Sequence, residues 1–80
     1  MTRFTGVTNS QPAKVFFYRI SLAGFYGLHH EKYGTVLEAC DAALSAMADD
    51  AQIAAKVWVE GARMFEQEEI PELRRVVRND

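Results

Sequence analysis

Ile53-Ala54-Ala55-Lys56-Val57-Trp58-Val59-Glu60-Gly61-Ala62-Arg63-Met64-Phe65-Glu66-Gln67-Glu68-Glu69 is the stretch on which the fold turns. β-Branched and aromatic residues lie on both sides of Gly61-Ala62. That pattern predicts a strand over 53–60, a tight turn that places glycine first, and a returning strand over 63–69. With a two-residue turn, the period of two puts Val57, Val59 and Met64 on one face and Trp58 with Phe65 on the other. Both faces then carry large apolar groups. Small proteins seldom leave such patches bare, so a second element is expected to cover Trp58 and Phe65. If left uncovered among Lys56, Glu60, Arg63, Gln67 and Glu69, the two aromatics have the make-up of an interaction hot spot.

Downstream, Pro71 opens a short amphipathic helix in which Leu73, Val76 and Val77 share one side. This helix is the expected cover for Trp58 and Phe65. Upstream, Thr35-Val36-Leu37-Glu38 is a capping box that starts a long helix. In that helix Leu37, Cys40, Leu44 and Met47 recur at helical spacing, with Ala39, Ala43 and Ala46 permitting close approach to a sheet. It should end near Asp49 and Asp50, two anions at the negative end of the helix dipole, where folding gains nothing from them.

Further upstream, Val15 to Leu22 alternates, with Phe16, Tyr18, Ile20 and Leu22 on one face of a strand, and 25–33 returns as its hairpin partner. Residues 1–12 are rich in Thr, Asn, Ser and Gln and read as a flexible arm, leaving 13–80 as one compact domain. The fold class expected is α+β: an antiparallel sheet of three or four strands, one long helix on one face and a short C-terminal helix, in the order ββαββα or βαββα.

Eighty residues, 49% hydrophobic with one cysteine, suit a single small core without disulfides, and leave little room for a deep catalytic cleft. No run approaches the length of a membrane span, and the first residues lack the pattern of an export signal, so a cytoplasmic protein is expected. His29 and His30 are neighbours on a strand and point to opposite faces, which cannot close one tetrahedral metal site. Cys40 falls on an apolar stripe and reads as core. Glu66, Glu68 and Glu69 are close together but have no apolar cleft to drive their pKa values apart. Neither catalysis nor a cofactor nor a metal is expected.

Charge is the remaining signal. Residues 38–72 carry a formal charge of −7 within a chain of net charge −2, so both flanks are basic. A concentrated acidic surface steers basic partners and can occupy Lys and Arg sites that otherwise hold phosphates. The first functional reading is therefore a non-enzymatic, protein-binding inhibitor, a monomer or weak dimer. Its partner surface would be Asp49, Asp50, Glu60, Glu66, Glu68 and Glu69 with Trp58 and Phe65, set against a protein or ribonucleoprotein with a basic nucleic-acid-binding surface. The second is a small nucleic-acid-binding or regulatory module that uses Arg63, Arg74, Arg75, Arg78 and aromatics on the open sheet face. A third is an assembly subunit that dimerises through the two-faced hairpin.

The outline from Lys14 to Arg78 resembles small phage-encoded inhibitors of the anti-CRISPR type. It is carried by the aromatic first strand, the capped helix over 35–48, Val57-Trp58-Val59-Glu60-Gly61 and the ending Pro71-Glu72-Leu73. The resemblance implies a viral protein in the host-cell cytoplasm that binds a CRISPR effector or surveillance complex and blocks recruitment of target DNA, as a DNA mimic does. The basic C-terminus departs from a uniformly acidic mimic.

Overall fold

The computed structural model describes residues 6–21 and 24–78. Its elements are β1 (Ala13–Ser21), β2 (Gly24–Tyr33), α1 (Val36–Asp49), β3 (Ile53–Val59), β4 (Met64–Phe65), a 3₁₀ turn (Gln67–Glu69) and α2 (Ile70–Arg78). The strands form one antiparallel sheet in the order β2-β1-β3-β4. This is the expected α+β class, with four strands. Strands β2 and β3 are parallel to one another on either side of β1, so α1 is the crossover of a split βαβ unit. Leu22 and the first five residues of the expected arm lie outside the described residues.

Helix α1 begins where the capping box indicates. Thr35 is its N-cap, and its hydroxyl accepts from the Glu38 backbone N–H at 3.2 Å. The Glu38 carboxylate meets the Thr35 hydroxyl instead of a backbone donor. A second cap comes from Asn9, whose side-chain oxygen accepts from Leu37 N at 2.8 Å and whose carbonyl accepts from Val36 N. The described part of the arm is thus tied to the helix, and Gln11 ties it to the hairpin by donating to the Glu60 carbonyl.

Two expectations fail, for one physical reason. The β3–β4 loop has three residues, Glu60 to Ala62, with Val59 N bonded to the Arg63 carbonyl and Gly61 in the left-handed region at φ 84°. The register is therefore Val57 opposite Phe65 and Trp58 opposite Met64. An odd loop flips the parity of the returning strand. Phe65, not Met64, shares a face with Val57 and Val59, and it is fully buried. The returning strand is also shorter than 63–69, because Glu66 turns the chain into the 3₁₀ segment and α2.

Both helices lie on that face, so α2 covers Phe65 together with α1 and does not cover Trp58. One core joins Val15, Phe17, Val57, Val59 and Phe65 of the sheet to Val36, Ala39, Cys40 and Ala43 of α1 and Ile70, Leu73 and Val77 of α2. The deepest line of α1 is small, which lets the helix approach the sheet closely; Leu37, Leu44 and Met47 pack at its margins. Arg74 of α2 bonds Asp41 of α1, and Arg75 bonds Glu72 within α2. At the core's rim the Glu69 carboxylate, 7% exposed, accepts from Arg63 at 2.8 and 3.2 Å and from Glu66 N at 3.0 Å. Those bonds raise the Arg63 pKa and hold its charge in place.

Candidate binding face

No described helix covers the other side of the sheet. Every second residue of β1 and β3 points there, and the register sets these side chains in rows across the strands. Lys32, Lys14, Trp58 and Met64 form the first row, from β2 to β4. His30, Phe16 and Lys56 form the second, and Gly27, Tyr18 and Ala54 the third. Phe16, Tyr18 and Trp58 are partly buried, with Ile20 beyond them 38% exposed. Cations are interleaved with the rings: Lys14 Nζ lies 5.4 Å from the Trp58 ring centroid and Lys56 Nζ 5.6 Å from that of Tyr18. The His30 ring lies 5.5 Å from Phe16. The aliphatic stems of the lysines shield the aromatics laterally while their charged ends stay wet.

Three lysines on this face meet Glu66, which is 3.4 Å from Lys56, and Glu60 at the opposite margin. Glu68 borders the same end as Glu66, so three carboxylates rim the face that holds the three lysines, and the other described carboxylates lie on the helical side or at the ends of the strands.

Two grooves open at opposite ends of the face. One, of about 250 Å³, lies among Pro12, Lys14, Lys32, Trp58 and Glu60. The other, of about 350 Å³, lies among Tyr18, Ala54, Lys56, Glu66, Gln67 and Glu68. A third cavity, of about 380 Å³, sits on the helical side between β2 and α1, where His29 stacks on Phe17 at 4.8 Å and Tyr33 donates to Glu31 at 3.1 Å. Burial, with Glu31 nearby, raises the Tyr33 pKa. His29 and His30 face opposite sides, and among the described residues no group of His, Cys, Asp and Glu gathers as metal ligands. No described helix is long and apolar enough to cross a membrane.

The eight candidates named from sequence do not form one surface. Phe65 is core, and Glu69 is held inside by Arg63. Asp50 has the structural duty that the sequence hid: it accepts from Gln52 N at 2.9 Å and pairs with Arg19 at 3.7 Å. Asp49 and Asp50 stand before one end of β3 and Glu60 after the other, roughly 20 Å apart at about 3.3 Å per residue. Only Trp58, Glu60, Glu66 and Glu68 border the open face. The arginines Arg74, Arg75 and Arg78 belong to α2, on the far side of the sheet from Trp58.

What the sequence reading did not bring together as one surface is the set Lys14, Phe16, Tyr18 and Lys56. Its signal was the period of two in Lys14-Phe16-Tyr18 and in Lys56-Trp58, which becomes one surface only when β1 and β3 are known to pair. No family model, no curated protein and no solved structure matches the chain.

Proposed function

We propose that this protein is a non-enzymatic binding module that holds a single strand of nucleic acid across the open face of its sheet. One observation carries the reading: three aromatics, Phe16, Tyr18 and Trp58, alternate with Lys14, Lys32 and Lys56 on a sheet face that no described helix covers. Rings offer a stacking surface to any base, and lysines beside them meet the phosphates that connect successive bases. A duplex hides its base faces and gains little from such a surface. Most of the described anions sit behind the sheet or at its ends, and the three on the open side, Glu60, Glu66 and Glu68, rim the face and leave its centre to the rings and lysines.

The test is titration of a labelled single-stranded oligonucleotide, followed by anisotropy and by the emission of Trp58, the sole tryptophan. Three lysine contacts predict that the logarithm of affinity falls against that of salt with a slope of about −2. Replacing Trp58 by Ala should cost about 1–3 kcal/mol of binding. Absence of binding at low salt, or binding unaffected by charge reversal at Lys14, Lys32 and Lys56, overturns the reading.

A second reading keeps the protein-directed inhibitor of the anti-CRISPR type. It draws on Asp49, Glu60 and Glu68, which are exposed and form no ion pair with a described residue. They lie at separate places, so a basic partner would have to reach around the domain. Reversal of Asp49 and Glu60 should weaken capture of such a partner under this reading and leave oligonucleotide binding undiminished under the first; Glu68 is left intact because it also lines the groove beside Tyr18.

A further inference from the structure

Resting on the nucleic-acid reading, we infer that the groove beside Tyr18 takes one base and selects cytosine, or another base with an exocyclic amino group, over thymine and uracil. Tyr18 differs from the other two rings in its neighbours. Phe16 stands between His30 and Lys56, and Trp58 between Lys14 and Met64, but Tyr18 stands between Gly27 and Ala54. The bulge in β2 brings Gly27 opposite Tyr18, and a Cβ built there would meet nothing within 4 Å. The smallest side chains therefore flank this ring on both neighbouring strands.

Beyond Ala54 no described strand extends the sheet, because β4 ends at Phe65 and the chain swings away at Glu66. That departure opens the groove of about 350 Å³, within the range of small-ligand pockets and ample for one base. Its polar wall is specific in kind. Glu66, Gln67 and Glu68 line it, with Lys56 Nζ between the Tyr18 ring and the Glu66 carboxylate. Two carboxylates repel a phosphate, so the strand's backbone stays out and its base goes in. Carboxylate oxygens only accept hydrogen bonds, and the N4 amino group of cytosine is a matched donor. Thymine and uracil place a carbonyl oxygen at that position and offer only the single N3–H, flanked by carbonyls, where cytosine brings two amino N–H groups to the two carboxylates. Lys56, released from Glu66 by the incoming base, remains close enough to take the adjoining phosphate.

The experiment compares short homopolymers of deoxycytidine and deoxythymidine, equal in length, titrated into the wild-type protein at one salt concentration and mildly alkaline pH. The two pyrimidines stack similarly, so the comparison isolates the polar wall. The cytidine strand should bind about tenfold tighter or more. In E66Q/E68Q that ratio should fall toward one, through unchanged or stronger thymidine binding together with weaker cytidine binding. Equal affinities in the wild-type protein overturn the base preference and leave the nucleic-acid reading standing. If neither strand binds, both fall together.

Discussion

The two faces of this sheet are made from alternate residues of the same strands, and they have met opposite fates. On the helical side Val15, Val57, Val59 and Phe65 have no exposure, sealed by small residues of α1 and the apolar edge of α2. One residue along in each case, Lys14, Phe16, Lys56, Trp58 and Met64 remain partly exposed. The difference is not one of hydrophobic content, because Trp58 and Phe16 are as large as anything in the core. It lies in what stands between the rings: the covered face interleaves aromatics with Val and Ala, the open face with Lys. A lysine in the first pattern would bury an unpaired charge, and a valine in the second would join the rings into a continuous apolar patch.

The sharpest way to break the comparison is to truncate one aromatic on each side. Phe65→Ala removes a ring from a sealed core and should cost about 3–5 kcal/mol. That is a large share of the roughly 5–15 kcal/mol by which small domains are stable, so the variant should melt at least about 10 °C below the wild type by circular dichroism. Trp58→Ala should cost about 1 kcal/mol and melt as cooperatively as the wild type. Losses of similar size would place the two rings on one face, the parity that a two-residue turn predicts.

Arg63 probes the seam between the faces. Its guanidinium lies 4.0 Å from the Phe65 ring centroid and binds Glu69, whose carboxylate is nearly inaccessible. In Arg63→Met the apolar contact survives, but Glu69 loses its counter-charge and keeps the Glu66 N–H bond. The expected loss is about 1–3 kcal/mol, read from the urea midpoint at constant m-value. No change would mean that water reaches Glu69 as freely as it reaches the carboxylates of the open face.

How far these contrasts could be read from sequence depends on the range of the interaction that fixes them. The start of α1 was plain, because Thr35 and Glu38 are three residues apart and cap locally. The first strand was plain from its alternation. The hairpin parity was not, since one extra residue in the loop reverses every side chain that follows, and Glu60-Gly61-Ala62 suits either length. The same slip misassigned Phe65 to a partner surface and sent α2 to the wrong side. Asp50 was misread in two ways: its bond to Gln52 N is a local turn that the helix-dipole argument ignored, and Arg19 becomes its neighbour only when β1 and β3 pair. The open face was legible as two fragments of alternation, and only their registration made them one surface.

The smallest effect concerns Cys40, which lies between α1 and the sheet and tests how completely the covered face excludes solvent. Burial, and secondarily Asp41, pushes its thiol from 9 up to about 12, with Arg74 acting weakly in the opposite sense. An unfolded chain ionises this thiol near 9, whereas the folded protein keeps the proton until about 12. The contribution to stability is therefore intact below 9 and is lost as pH rises through that window, at about 1.4 kcal/mol per pH unit. Cys40→Ala should cost about 1 kcal/mol at neutral pH by leaving a small void, yet it lacks the alkaline loss. The stability curves of the two proteins should then converge as pH rises and meet near about pH 10. A gap that stays constant across that range would show that solvent reaches the thiol in the native state, and that the covered face is sealed less well than its zero exposures indicate.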